Sequence, residues 1–531
     1  VFQRVPNYIL ALISGLLLSA GWFAPTTIFL FFAWVPLLII EDKVSNNNEL
    51  KSKKLNLVFL SYFVFFIWNL TVTWWIYYAS LGGAIMAIFC NAILMCVVFM
   101  IWHNLKQRIK KKWAIWLLIP LWLGFEYGHT LWDLTWTWLT LGNAFAFNHN
   151  WVQWYEFTGT SGGSLWVLVV NILIFNIINQ KQYDLKTTVV PVLTIVLPII
   201  VSYGIKTFGS KNNQETKKYK TLILQPNVDP YNDKFYFEPE IQLQNALNQL
   251  KEKLDSTIDF LVLPETFLTE DITEGNENSS LSIHFLKDSI LNKYPKLTII
   301  TGASTFKIFK QHEPISSTAR FDSNSNIYFD YYNTGMQFNK EGILFYHKSK
   351  LVPGVEKMPF PMIFKPLESL AINLGGTMGS LGTQDERTVF FSHDKQVGIA
   401  PVICYESVYS DYVADYIRNG ANLIFILTND GWWSDSPGHK QHLAYAKLRA
   451  IETRNEIARC ANTGISCFIS PYGEIEQATP FWEKACIIKE LTPNNNKTIF
   501  VKFGDVISYV CSIAAILLFI WSQILRFKKS N

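Results

Sequence analysis

Three residues of complementary chemistry each stand at the end of an apolar, strand-like run. Gly398-Ile-Ala-Pro-Val-Ile403 ends on Cys404, and polar Tyr405-Glu406-Ser407 follows at once. Phe260-Leu-Val-Leu-Pro264 ends on Glu265, and Ile343-Leu-Phe-Tyr-His347 ends on Lys348. Together they are the parts of an activated thiol. A free thiol is mostly protonated at neutral pH, and the thiolate is the nucleophile. A carboxylate within hydrogen-bond reach can take the proton, which is the role open to Glu265. An ammonium such as Lys348 steadies the thiolate and then the oxyanion of a tetrahedral intermediate, with the main-chain N–H of Tyr405 as a further donor. Attack on an acyl group leaves a thioester, which water, ammonia or an amine can resolve. Each residue also has a structural reading. Free cysteines are among the most buried residue types, Glu265 after Pro264 suits a cap, and Lys348 near Lys350 suits a surface. Each such reading holds singly; three strand-end groups of matching chemistry in one domain weigh against all of them.

The remaining composition narrows the chemistry. Seven cysteines are present and no C-x-x-C occurs, which argues against a zinc site or a redox motif. Cys90, Cys96 and Cys511 lie in apolar runs. An odd total argues against a disulfide framework, although Cys460 and Cys467 could pair in an oxidising compartment. The net charge is only +4 over 531 residues, and Lys and Arg gather in loops beside apolar runs. That distribution reads as a topology signal and not as a nucleic-acid footprint.

The elements that would position the thiol fall into distinct regions. A bilayer span needs roughly 20 apolar residues, and eight segments qualify: about 7–24, 26–41, 55–78, 83–102, 113–130, 161–179, 187–205 and 505–525. The first lacks a small-x-small cleavage site and is followed by another apolar run, unlike a signal peptide. The loop around Lys43–Lys54 carries Lys43, Lys51, Lys53 and Lys54, and His103–Lys112 carries Lys106, Arg108, Lys110, Lys111 and Lys112. Two more lysines lie near Lys181–Lys186, and Arg526, Lys528 and Lys529 follow the last segment. Alternate loops carry no Lys or Arg. The positive-inside rule therefore predicts cytoplasmic termini and places residues 206–504 on the far, periplasmic side. The expected domains are 1–205 transmembrane, 206–504 catalytic, and 505–531 a closing helix with a basic tail. A Trp-rich stretch at 126–163 holds Trp132, Trp136, Trp138, Trp151 and Trp154. It reads as an interfacial aromatic belt, or as an amphipathic arm that helps a lipid reach the thiol.

Between 219 and 495 short β-type runs alternate with helical ones, which predicts α/β layers. Strands are expected at Thr221–Leu224, Phe260–Leu263, Leu297–Thr301, Ile343–Tyr346, Val397–Ile403, Leu423–Leu427 and Ile465–Ile469. Helices are expected at Glu238–Lys253, Val408–Asn419 and His439–Asn455, with surface loops at Asp271–Ser280 and Gln311–Asn326.

These residues carry a family resemblance. Leu263-Pro-Glu265-Thr266, Tyr346-His-Lys348-Ser-Lys350-Leu-Val-Pro353-Gly-Val-Glu356 and Ile403-Cys404-Tyr405-Glu406 resemble the base, lysine and nucleophile segments of the nitrilase (carbon–nitrogen hydrolase) superfamily. Thr428-Asn-Asp-Gly-Trp432-Trp433, Gln441-His442, Arg449-Ala-Ile-Glu452 and Ala461-Asn-Thr-Gly464-Ile-Ser466 resemble its downstream signature. Gln225-Pro-Asn227 and Lys234-Phe235 fall where the superfamily has a similar Q-x-N and usually a Trp. Over its whole length the chain resembles the apolipoprotein N-acyltransferase family. Three departures stand out: Gly354-Val355 for the usual Phe-Gly, Lys350 for a His, and Phe235 for the Trp.

The resemblance implies a nitrilase-like αββα sandwich inserted between the seventh and eighth helices of an eight-helix transmembrane bundle. It implies a Glu265–Lys348–Cys404 triad, supported by Glu356, Tyr405 and Glu406, with Lys348 chosen over Lys350 because two residues separate it from Leu351. Glu406 would orient the nucleophile turn, and Glu356 would orient Lys348 or the incoming amine; a plain salt bridge is the alternative for each. Phe235, Trp432, Trp433 and Trp138 are the candidates for substrate binding. The implied reaction, in an inner membrane, passes an acyl chain from a phospholipid through a cysteine thioester to the α-amine of a diacylglyceryl-cysteine apolipoprotein. It needs no metal or cofactor, and a monomer is expected. The rivals are a membrane-tethered amidase in which water resolves the thioester, and a non-catalytic scaffold or transporter. A transporter would be expected to carry ionisable residues within its spans, and the apolar runs hold very few.

Overall fold

The computed structural model describes residues 4–46, 51–180, 184–209, 217–234, 236, 238–310, 312–357 and 380–530. The chain divides into two compact units. One comprises Val1–Tyr77, Gly83–Asn212 and Phe503–Asn531, and the other Tyr78–Gly82 and Asn213–Lys502.

The first unit is helical. Five helices among the described residues are long and apolar enough to cross a membrane: Lys54–Tyr78, Leu81–Ile109, Thr160–Gln180, Leu185–Gly209 and Val506–Ile524. The other three expected segments are shorter as helices. Asn7–Ala20 has 14 residues, and Val35–Ser45 and Leu118–Gly128 have 11 each. The last two are preceded by tighter 3₁₀ turns at Thr26–Phe32 and Lys112–Leu117. In both, a proline (Pro36 or Pro120) sits in the first turn, where its missing N–H costs nothing and its fixed φ favours a fresh start. The Trp-rich stretch is folded into this unit. Trp138 is fully buried, 4.9 Å from the Trp75 ring and stacked on Trp136 at 5.5 Å. Glu41 is also buried here, bonded by His103 at 2.7 Å and by Lys106.

The second unit is built from two sheets. In the first, Tyr219–Gln225 lies between antiparallel Ala485–Leu491 and parallel Phe260–Val262. Thr298–Ile308 continues parallel, and Ile327–Asn339 follows antiparallel. Leu268–Thr273 pairs with Thr298–Ile308, while Arg320–Asp322 and Gly342–His347 pair with Ile327–Asn339. The second sheet runs Phe390–Phe391, Gly398–Ile403, Leu423–Thr428, Ile457–Ala461, Cys467–Ile469, Ile475–Glu476, with the middle three long strands parallel.

The sheets face each other across an apolar layer, as their hydrophobic runs demand. Phe260 and Phe425 meet edge to face at 5.4 Å, and the Cys460 thiol donates across the layer to the carbonyls of Leu224 and Val262. Helices Pro239–Leu250 and Leu281–Leu286 cover the outer face of the first sheet through Leu243, Ala246, Ile283 and Leu286 on Leu222, Leu261 and Ile299. Helices Ser410–Arg418 and Pro437–Thr453 lie with the second sheet. The result is an αββα sandwich.

Several strands depart from the sequence reading. The expected loop Asp271–Ser280 begins inside the strand Leu268–Thr273, and the expected loop Gln311–Asn326 contains Arg320–Asp322. Ile327–Asn339, Ile457–Ala461 and Ala485–Leu491 are strands that no apolar run announces. Among their polar residues, Asp330 accepts from Ser316 and Thr318, and Arg459 pairs with the buried Asp430.

One backbone approach fixes the base segment. The Gly302 N–H donates to the Pro264 carbonyl at 3.0 Å. A Cβ on Gly302 would sit 2.3 Å from the Thr266 nitrogen and 2.6 Å from the Glu265 Cα. Gly302→Ala is therefore expected to cost about 1–3 kcal/mol through forced displacement. Gly204→Ala, where nothing lies within 4 Å, is the control. Equal melting temperatures for the two variants in detergent would refute the close approach.

Candidate active site

Cys404 ends the strand Gly398–Ile403 and opens a tight turn, Cys404–Val408. Its φ is +45°, in the left-handed region that a residue with a Cβ rarely adopts. Such strain persists only where the surroundings over-determine it, and here they do. Glu406 accepts from the Ile403 N–H at 2.9 Å. Ser407 Oγ donates to the Cys404 carbonyl at 2.7 Å, and His442 Nε2 lies 3.0 Å from the same oxygen.

Behind that carbonyl is a fully buried polar chain. His442 Nδ1 is 2.9 Å from Asp430, and Thr428 Oγ1 donates to the same carboxylate at 2.8 Å. Arg459 closes the chain on the other Asp430 oxygen at 2.5 Å. Burial alone would raise the Asp430 pKa. The Arg459 and His442 beside it more than offset that and hold it well below the usual carboxylate range.

Glu265 and Lys348 arrive from the first sheet. Lys348 follows the strand Gly342–His347, and its N–H donates to the Asn333 carbonyl at 2.8 Å. Its ammonium, with the side chain 1% exposed, contacts Glu265 Oε1 at 2.9 Å and Glu356 Oε1 at 2.8 Å. The Asn333 amide donates to the same two oxygens at 2.8 and 3.0 Å. Among the described residues, no hydrogen-bond donor reaches the second oxygen of Glu265. Glu356 Oε2 accepts from the Val352 N–H at 2.9 Å.

The resting charge state follows. Burial would raise the Glu265 pKa, but Lys348 and Lys234 hold it below its ordinary value. Burial would lower that of Lys348, but Glu265 and Glu356 lift it well above. Burial pushes the Cys404 thiol far up, Glu265 adds to the rise, and Lys348 opposes it. The site therefore rests as thiol, carboxylate and ammonium.

Glu406 ties the two sheets' contributions together. One oxygen takes the Ile403 N–H, and the other takes the Ser349 N–H at 2.8 Å, Tyr346 OH at 2.6 Å and Tyr412 OH at 2.7 Å. Arg387 bonds Tyr412 OH at 2.6 Å. Lys350 points elsewhere, its ammonium over the Tyr409 and Tyr412 rings at 5.0 and 5.8 Å. The Tyr405 side chain packs edge to face on Tyr409 at 5.2 Å.

Of the aromatic candidates, Trp432 and Trp433 lie on the turn Asp430–Trp433. The first meets Tyr231 at 5.0 Å and the second meets the His442 ring at 5.4 Å. Trp138 belongs to the first unit, and Phe235 lies outside the described residues. Sequence reasoning gave no role to Asn333, Tyr346, Tyr412 or Arg459. Asp430 and His442 stood in a motif whose residues had no stated job. Only the pairing of Thr334 with His347, which brings Asn333 beside Lys348, reveals the first of these. Among the described residues, no cluster of His, Cys, Asp and Glu could hold a metal ion.

Two family descriptions match the chain: Carbon-nitrogen hydrolase over residues 223–498, and Apolipoprotein N-acyltransferase N-terminal domain over residues 14–173. The apolipoprotein N-acyltransferase of Chlorobaculum tepidum is 27% identical, over 96% of this chain and 95% of its own. That of Geobacter metallireducens is 24% identical over 97% and 95%, and that of Rickettsia prowazekii 27% identical over 94% of each.

The Asp430–Arg459 pair carries a stability prediction. A depressed carboxylate pKa contributes stability that is present above the unfolded value, near 4, and is lost as pH falls toward the folded value. Asp430→Asn leaves the Arg459 guanidinium buried and unmatched, at a cost of about 3–5 kcal/mol. Thermal unfolding in detergent should show that loss at pH 7 and a smaller one near pH 3. Equal melting temperatures for variant and parent at pH 7 would count against the pair.

Proposed function

Because the chain belongs to the carbon–nitrogen hydrolase family, and carries ahead of that domain the N-terminal domain of apolipoprotein N-acyltransferases, we infer that it N-acylates apolipoproteins in a bacterial membrane. The observation that supports this reading most strongly is the buried Glu265–Lys348 contact, close enough to the buried Cys404 for both charges to act on its thiol, in a chain that also bears long apolar helices.

The reaction has two halves. In the first, Cys404 Sγ attacks the ester carbonyl carbon of a phospholipid as Glu265 takes the thiol proton. Lys348 and the Tyr405 N–H face the oxyanion. The C–O bond breaks, Glu265 returns its proton to the leaving oxygen, and a lysophospholipid departs. In the second, the α-amine of the diacylglyceryl-cysteine attacks the thioester. Glu265 takes one N–H proton, the C–S bond breaks, and the proton passes to the Cys404 sulfur. Each half uses Glu265 first as base and then as acid. Glu356 positions Lys348, and Glu406 positions the nucleophile turn. Trp432 and Trp433 are read as part of the acyl or acceptor wall.

The lysine-rich loops at Lys43–Lys54 and His103–Lys112 support a cytoplasmic placement of those loops. In that topology the catalytic domain is periplasmic, between the seventh and eighth of eight spans. A phospholipid donor and a lipoprotein acceptor are both membrane-anchored, which gives a domain of this family a reason to be joined to spanning helices.

Mass spectrometry of the purified chain incubated with phospholipid tests the reading. An acyl adduct on Cys404 is expected, absent in Cys404→Ala and in Glu265→Gln. Lipid turnover with an unmodified Cys404 would overturn it, and release of free fatty acid in place of transfer would favour an amidase-like hydrolysis. Lys348→Ala should lose at least about a hundredfold in transfer, while Lys350→Ala stays within about threefold, as expected for a residue far from transition-state charge. The opposite ranking of the two lysines would refute the assignment.

A further inference from the structure

A second buried lysine lies against the base segment. Lys234 is 3% exposed, and its ammonium donates to the Glu265 carbonyl at 2.9 Å and to Thr266 Oγ1. Its own carbonyl accepts from Gln242 Nε2 at 2.7 Å, so both ends of the residue are fixed. Thr266 has a φ of +45° and so, like Cys404, holds a conformation that needs outside support. Lys234 thus bonds both the carbonyl before that strained residue and its side chain.

We propose that Lys234 is a second cation of the site, which positions the Glu265 turn and, with Lys348, supplies the field under which Cys404 gives up its proton. The charges explain why two are present. The ammoniums of Lys234 and Lys348 match the carboxylates of Glu265 and Glu356 one for one. Glu406 is held separately by tyrosine hydroxyls and main-chain N–H groups, and Asp430 by Arg459 and His442. Without Lys234 the two carboxylates lose one of the two buried lysines placed against them. Moving a proton from the thiol to Glu265 would then place a thiolate in a site already short of positive charge.

The titratable groups facing Lys234 agree. Burial pulls its pKa down, Glu265 and Cys404 pull it back up, the like charge of Lys348 lowers it, and the balance lies at about 8. From the helix Pro239–Leu250 the residue that touches it is the neutral Gln242. Lys234 is therefore charged at neutral pH and loses its charge above about pH 8.

The inference rests on Cys404 as the nucleophile, and its test is read separately from acyl transfer. The full chain in detergent is alkylated with iodoacetamide from pH 6 to 10, and the Cys404 peptide is quantified. Lys234→Met and Lys234→Gln should slow alkylation of Cys404 at pH 7 by about tenfold, and the gap should close above about pH 8 as the parent lysine loses its own charge. Lys234→Arg, which keeps the charge, should retain the parent rate at pH 7. Gln keeps a donor for the Glu265 carbonyl and gives the reading should the Met variant fail to fold. Superimposable profiles for parent, Met and Gln variants would overturn the proposal, as would an Arg variant slowed as far as Met. A residue needed only for packing would lower the melting temperature and leave the pH 7 rate in place. Should the parent never form an acyl adduct on Cys404, the functional reading fails while this titration still reports on the field around the thiol.

Discussion

An ammonium taken out of water must meet negative charge where it sits, or it loses its proton. Lys348 is held to that condition, and much of the second unit serves it. Its two carboxylates come from different places: Glu265 from the end of a parallel strand, and Glu356 from the loop eight residues after Lys348. Neither segment can reach the ammonium unless the first sheet keeps its register. The pairing of Thr334 with His347 brings Asn333 beside Lys348, where one amide bridges both carboxylates. Slipping the register by one residue would turn Asn333 to the opposite face. Gly302 matters for the same reason, since only a residue without a Cβ lets its strand lie against the Glu265 backbone.

Cys404 comes from the other sheet, so the two sheets must be locked in relation to each other. Glu406 does this with a single side chain. One oxygen takes the last N–H of the strand before Cys404, and the other takes the first N–H after Lys348. A carboxylate buried to this depth is costly, and burial does push its pKa up. Two tyrosine hydroxyls repay part of that cost, and Arg387 behind Tyr412 anchors them. The positive φ of Cys404 is thus constrained from three sides: the Glu406 bond before it, the Ser407 bond after it, and the Asp430–His442 chain beneath it.

How much of this was legible in the sequence depends on how each residue is satisfied. Cys404, Glu265 and Lys348 stood out because an apolar run ended on each, and a run that stops on a polar group places it at a sheet edge. The seven expected strands all have counterparts, most with shifted ends. Ile327–Asn339 did not stand out, because Asp330, Asn333, Thr334 and Gln337 break its apolar pattern and yet are buried among partners distant in the chain. Arg459 hid the strand Ile457–Ala461 in the same way: an arginine mid-strand signals solvent until Asp430 is known to face it. In the first unit, hydropathy found the apolar segments but not where helices restart. Prolines near the starts of two segments divide them into a turn and a short helix. The tryptophans of 126–163 suggested an interface by composition alone, whereas Trp138 and Trp136 stack inside their unit.

The resting charges bear on how the thiol is activated. In a site with a preformed thiolate, the cation would outweigh the carboxylate and the cysteine would titrate low. Here the order is reversed. Lys348 and Lys234 hold Glu265 ionised against its burial, while burial and the Glu265 charge hold Cys404 protonated against Lys348. In the proposed reaction the thiolate is made only as it is used, with the proton moving to Glu265 while sulfur closes on the carbonyl. That timing suits an enzyme whose acyl donor and acceptor both arrive through a lipid phase. A standing thiolate would be open to oxidation and to any passing electrophile. A protonated thiol becomes nucleophilic when a bound carbonyl begins to draw charge toward Lys348. With the role proposed for Lys234, the two lysines would hold a fixed positive field while the negative charge moves from carboxylate to sulfur to oxygen. Because the donors are already in place, little reorganisation accompanies the transfer.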